Sequence, residues 1–207
     1  VWCTYKYLNA GPGAIAGAFV HERHHHTATT ASPNGKVEEG YLPRLAGWYG
    51  ADKTTRFNMD KTFCPAEGAH GWQVSNPSVV DLACVRAALG VFGQAGGMQA
   101  LRDKAVVLTG YLEWLLLGLL EEKEDRAGEP AFRIITPGNP LERGSQLSLL
   151  LRSGLLDGVS ERLAEGGVVV DARKPDVIRV APVPMYCRFE DVWGFVEVFK
   201  KALEEAR

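Results

Sequence analysis

The 207 residues are 46% hydrophobic and 23% charged, enough for one large domain or a partial large domain with a smaller one. A formal net charge of −2 provides no field that would favour nucleic acid or a membrane surface. The four cysteines, Cys3, Cys64, Cys84 and Cys187, lack CxxC spacing, which argues against a zinc site or a disulfide framework and fits a reducing, cytoplasmic setting.

The chain begins Val1-Trp2-Cys3-Thr4-Tyr5-Lys6-Tyr7-Leu8-Asn9, with an almost charge-free run over residues 10–19. Residues 1–5 do not read as a targeting segment. A lysine in apolar surroundings is normally paired or used. Desolvation disfavours an ammonium and yields an amine able to attack a carbonyl, as an aldehyde cofactor requires. A lysine snorkelling to the surface satisfies the same spacing.

Residues 14–20 read as a short buried strand after a Gly/Pro turn. The pattern Gly11-x-Gly13-x-x-x-Gly17 is not the dinucleotide fingerprint, and no acidic residue follows at the right distance, so a Rossmann nucleotide site is excluded. Residues 21–45 are polar and predict a long surface loop. His24-His25-His26 lies within it. Without fixed geometry and supporting hydrogen bonds such a run makes no metal site, so none is expected.

Leu82, Val85, Leu89 and Phe92 recur at helical spacing, predicting a helix over residues 81–92 started by Asn76-Pro77-Ser78. Leu101, Ala105, Leu108, Leu112, Leu115 and Leu119 stripe a longer helix over residues 98–122. Its most apolar part, residues 111–120, is broken by Glu113 and is too short to span a bilayer. Residues 123–130 read as a linker. Strands are expected at 132–136, 146–151, 168–170 and 177–181. A short helix carries Leu156, Val159 and Leu163 and stops at Gly166-Gly167. A closing helix carries Phe189, Val192, Val196, Phe199 and Leu203. This order describes a small α+β domain with helices on one sheet face.

Ordered blocks along nearly the whole chain resemble kynureninase. They are Trp2-Cys3-Thr4-Tyr5-Lys6-Tyr7-Leu8-Asn9-Ala10-Gly11, Ile15-Ala16-Gly17-Ala18-Phe19-Val20-His21-Glu22, Gly47-Trp48-Tyr49-Gly50, Thr55-Arg56-Phe57-Asn58-Met59-Asp60, Ser75-Asn76-Pro77, Leu108-Thr109-Gly110-Tyr111-Leu112, Ile134-Ile135-Thr136-Pro137, Glu142-Arg143-Gly144-Ser145-Gln146-Leu147 and Ile178-Arg179-Val180-Ala181-Pro182-Val183-Pro184.

The resemblance implies an α/β chain forming the C-terminal part of a fold-type I pyridoxal-phosphate enzyme, similar to aspartate aminotransferase. Residues 1–96 would be the remainder of the large cofactor-binding domain, 97–122 a linking helix, and 123–207 the small C-terminal α+β domain. A missing N-terminal half would carry the ring-stacking residues, the aspartate at the ring nitrogen and much of the phosphate cradle.

By the same resemblance Lys6 holds pyridoxal 5'-phosphate and later moves the substrate proton. Tyr5, Trp48 and Asn76 donate to the phosphate, the last two across a homodimer interface. Arg179 grips the α-carboxylate of an amino-acid substrate through paired hydrogen bonds. From spacing alone a core tyrosine explains Tyr5, an aromatic beside a glycine turn explains Trp48, and a helix cap explains Asn76. Arg56 and Arg143 read as weaker candidates or ion-pair partners.

The implied reaction is hydrolysis of L-kynurenine or 3-hydroxykynurenine to anthranilate or 3-hydroxyanthranilate and L-alanine, in tryptophan catabolism toward NAD. Two alternatives stay open. One is another enzyme of the same cofactor superfamily, such as an aminotransferase or a desulfurase. The other is a fragment inactive by itself.

Overall fold

Two compact units, Val1–Val91 and Phe92–Arg207, make up the chain. The computed structural model describes residues 1–25, 28–31, 37–40, 42–59, 61, 63–121 and 129–206, with 28–31 and 37–40 described by backbone alone.

Turns dominate the first unit. The expected strand over residues 14–20 does not form. It is reduced to one antiparallel bridge, in which the Trp2 amide donates to the Gly17 carbonyl (2.9 Å) and the Gly17 amide to the Trp2 carbonyl (3.0 Å). A strand needs a row of partners, and here Trp2 supplies only one. Glycine is required at the bridge, because a Cβ at Gly17 would lie 2.3 Å from the Trp2 ring.

The expected long loop over residues 21–45 contains an antiparallel hairpin, β1 (Ala28–Ala31) and β2 (Val37–Gly40), with Ala28 opposite Gly40 and Ala31 opposite Val37. Thr29 and Thr30 favour extended backbone, and Pro33-Asn34-Gly35 is a turn sequence. Those turn residues lie outside the described residues, as do His26 and Thr27. Ahead of the hairpin, a 3₁₀ turn spans Glu22–His24, and the His25 Nε2 sits 2.8 Å from the Val20 carbonyl oxygen. Among the described residues no cluster of histidine, cysteine and carboxylate side chains could hold a metal ion.

Helix α1 (Val79–Gln94) forms where the apolar spacing predicts. Its cap is Ser78, whose hydroxyl accepts from the Asp81 amide (3.3 Å). The predicted apolar face is not covered: Leu82 and Leu89 are exposed, and Phe92 is the helix's buried residue. The spacing dictates a helix, but burial of its face also needs a neighbour.

The second unit has its own core. Helix α2 (Gly97–Glu121) buries Leu101, Ala105, Leu108, Thr109, Leu112, Leu116 and Leu119. The expected Leu115 packs against the core partly buried, and Thr109 and Leu116 are buried beside the stripe, so the covered face is wider than the apolar spacing predicts. The linker expected at 123–130 falls almost entirely outside the described residues.

Strands β3 (Phe132–Ile134), β4 (Leu147–Leu151), β5 (Asp171–Arg173) and β6 (Val177–Val180) form an antiparallel sheet ordered β3-β4-β6-β5. Buried residues alternate along it. Phe132, Leu147, Leu149, Leu151, Ile178 and Val180 join one cluster with α2, α3 (Leu156–Glu165) and α4 (Phe189–Glu205). Helix α3 ends at Gly166-Gly167 as predicted, with Gly167 at φ +75°. Phe189 opens α4 half-exposed, while Val192, Val196, Phe199 and Leu203 are buried as expected.

The strand expected at residues 168–170 is displaced. Val169 is almost fully exposed, and the ladder is made by β5 instead. The short turn at residues 174–176 sets the register, with Arg173 opposite Val177 and Asp171 opposite Arg179. The valine run carries the β propensity, but pairing begins at the turn.

Candidate active site

Lys6 lies in a small closed loop. The Ala10 amide donates to the Thr4 carbonyl (3.0 Å), and inside that ring the Asn9 amide donates to the Lys6 carbonyl (3.0 Å). Asn9 takes φ +55°, a conformation asparagine tolerates better than most residues. Thr4 anchors the loop: it is buried, and its hydroxyl donates to the Ile15 carbonyl. Lys6 is therefore lifted out of the backbone and exposed, with Nζ 5.8 Å from the centroid of the exposed Tyr5 ring. The buried setting expected of Lys6 is not present in this chain.

Trp48 belongs to a 3₁₀ turn, Trp48–Gly50, that lies directly on the backbone leading to Asn76. A Cβ at Gly47 would come within 2.2 Å of the Val74 carbonyl oxygen, and one at Gly50 within 2.6 Å of the Gln73 carbonyl oxygen. Only glycine permits that approach. The Trp48 and Asn76 segments are thus held side by side. The Ala66 amide to the Gly50 carbonyl (2.8 Å) and the Asp52 amide to the Cys64 carbonyl (2.8 Å) fix the other side of the turn.

Trp48 is 51% exposed and meets Phe57 edge-on at 5.4 Å. It helps line an open depression of ≈ 900 Å³ with Gly47, Thr55, Arg56, Lys61 and Cys64. A core role for Trp48 does not fit this exposure. Nor is Asn76 the helix cap, a task Ser78 performs.

Arg56 holds the turn from within. Its Nη2 donates to the carbonyls of Tyr49 (3.3 Å) and Ala51 (3.1 Å), and its guanidinium lies over the Tyr49 ring. Nearby, the Thr54 hydroxyl and amide donate to Asp52, and these hydrogen bonds hold its carboxyl below the ordinary value.

Arg143 is an ion-pair partner. Its Nη1 and Nη2 meet the Glu113 Oε1 and Oε2 at 2.7 and 2.6 Å, and its side chain is 3% exposed. The paired hydrogen bonds hold the Glu113 carboxyl below its usual range and raise the guanidinium above its own.

Arg179 lies on β6, on the sheet face opposite the core. Asp171, its cross-strand neighbour, forms an ion pair with its Nη2. Asp171 also receives Arg173 Nη2 at 2.9 Å. The sequence reading missed Asp171 because it placed the strand three residues early. Counting outward from the Lys174-Pro175-Asp176 turn would have paired it with Arg179. It read Gly47 as a turn glycine and did not foresee its close approach to Val74, which depends on contacts distant in sequence.

A family model described as the kynureninase C-terminal domain matches residues 101–199. Kynureninase 2 of Chaetomium globosum is 66% identical over 99% of this chain and 42% of its own length. Kynureninase 1 of Neurospora crassa is 59% identical over 98% of this chain and 40% of its own length. The chain thus spans about two fifths of the curated relatives it matches.

Among solved structures, a C-DES mutant with glycine covalently linked to its PLP cofactor aligns at TM-score 0.58 and 16% identity, over 78% of this chain and 38% of that one. The cysteine desulfurase CsdA of Escherichia coli aligns at TM-score 0.56 and 19% identity, over 83% of this chain and 41% of that one. At such identities the likeness shows the fold alone, that of the fold-type I enzymes. The high identity to fungal relatives, sustained from the Lys6 loop to α4, carries the assignment further: the chain belongs to the kynureninase family and corresponds to the C-terminal part of its members.

Proposed function

We propose that the complete protein containing this chain is a pyridoxal-phosphate-dependent hydrolase. It would cleave L-kynurenine or 3-hydroxykynurenine between Cβ and Cγ, giving anthranilate or 3-hydroxyanthranilate and L-alanine. The supporting observation is the presentation of Lys6 in a closed loop within a chain 66% identical to a kynureninase.

The residues present fit the cofactor in part. Lys6 offers a primary amine on an exposed loop. Tyr5, Trp48 and Asn76 offer a phenol, an indole N–H and an amide, each exposed and suited to phosphate oxygens. The bound cofactor supplies an electron sink for cleavage beside the substrate α-carbon. Lys6 Nζ would hold it and carry the proton to and from that carbon. Arg179 would fix the substrate carboxylate so that the bond to be cleaved is aligned.

The remaining polypeptide would complete the site and cover the first unit. Among the described residues that unit buries little apolar surface, and Trp2, Tyr7, Phe19, Leu45, Phe57 and Val79 are exposed. A homodimer with Trp48 and Asn76 reaching the neighbouring subunit's cofactor, in the cytoplasm, belongs to the same proposal. No single helix among the described residues is long and apolar enough to cross a membrane.

Incubating the complete protein with kynurenine should release fluorescent anthranilate. Borohydride reduction followed by peptide mass spectrometry should place the cofactor on Lys6. A sulfide or keto-acid product, or an adduct at another lysine, would overturn the reading.

A further inference from the structure

A lone arginine on an open sheet face is a poor clamp. Its long side chain has many rotamers, and a ligand that binds it must freeze them. Arg179 is not alone in this way. Its cross-strand partner Asp171 takes Nη2, and the register that brings them together is fixed by the β5–β6 ladder. The Arg179 Nε is buried and has no hydrogen-bond partner among the described residues, so the donors left for a ligand lie at the Nη end.

Asp171 does not neutralise this group. Arg173 shares the same carboxylate oxygen at 2.9 Å, so two guanidinium groups face one carboxylate and the cluster keeps an excess positive charge. Such an arrangement orients a guanidinium without consuming its affinity for an anion.

We propose that Asp171 is the positioning residue for Arg179, holding the guanidinium ready for the α-carboxylate of the amino-acid substrate. Arg173 completes the device by leaving the cluster net cationic. This rests on the reading of Arg179 as the carboxylate clamp. Asp171 itself touches no substrate.

The test compares variants of the complete, pyridoxal-phosphate-loaded protein. Loss of one charge-assisted hydrogen bond predicts that Asp171→Asn raises the KM for kynurenine about 10-fold with kcat little changed. The dissociation constant for L-alanine, measured by calorimetry, should rise in parallel. Asp171→Glu should recover part of the loss. In an Arg179→Gln background, Asp171→Asn should add nothing further to KM, because the residue acts only through the guanidinium.

If Arg179→Gln leaves KM and L-alanine binding unchanged, the clamp reading itself falls. If Arg179→Gln weakens both while Asp171→Asn weakens neither, only the role of Asp171 is lost. A tighter L-alanine complex in Asp171→Asn would also overturn the proposal, since it would mark Asp171 as a competitor of the substrate rather than its aid.

Discussion

Glu113 and Arg143 show what a single pair can contribute. Arg143 is almost wholly buried, and its fork meets both carboxylate oxygens. Glu113→Ala would leave the Arg143 guanidinium with the Pro137 carbonyl (3.1 Å) as its remaining partner, at a cost of about 2 kcal/mol read by denaturant unfolding. The pH dependence follows from the lowered Glu113 pKa. The folded state holds the carboxylate more strongly than the unfolded chain does. The stabilisation is therefore complete above the ordinary value of 4.5 and is lost as pH falls through the lower folded value. Stability measured from pH 6 downward should decline in this range for the native chain, and Glu113→Gln should decline less. An unchanged profile would remove the pair from the acid response.

Elements were legible where one periodicity sufficed. α2, α3 and α4 follow from apolar spacing, and Gly166-Gly167 ends α3 as a C-cap should. β4 and β6 were legible as short, largely apolar runs, while the alternation of burial along them is set by the sheet. The rest depended on partners that spacing does not name. Residues 168–170 have the composition of a strand but no ladder, whereas Asp171–Arg173 pair because the turn beside them sets the register. In the candidate site, Trp48 and Asn76 could each be picked out in the sequence, yet the approach of their segments depends on Gly47 packing against Val74. Gly47→Ala would force a Cβ into backbone, at a cost of about 2 kcal/mol for overpacking, and would part the two segments. The complete protein carrying it should lose pyridoxal phosphate on dialysis faster than the native form. Equal retention would show that this approach does not shape the phosphate contacts.

The two units differ as whole bodies. Among the described residues, apart from Ala10 and Phe92, the buried hydrophobic residues that shape the interior run from Leu101 to Leu203, so the second unit carries the core. Hydrogen exchange on the isolated chain should therefore show strong protection in β4, β6, α2 and α4 and weak protection over residues 1–25 and 63–78. Assembly with the polypeptide that the relatives carry beyond this chain should protect the first unit too. Strong protection of residues 1–25 and 63–78 in the isolated chain would contradict that dependence.

Sequence by itself determined the helices of the second unit, the positions of β3, β4 and β6, and the kynureninase character of the Lys6, Trp48, Asn76 and Arg179 blocks, because these reside in local spacing and in residue identity. Tertiary structure alone decided that Lys6 stands on a closed loop, that Ser78 rather than Asn76 caps α1, and that one Asp171 carboxylate oxygen meets both Arg179 and Arg173. The physical reason is the same in each case: a hydrogen bond or ion pair is fixed by which groups meet in space, and a period along the chain specifies only which side of an element a residue occupies.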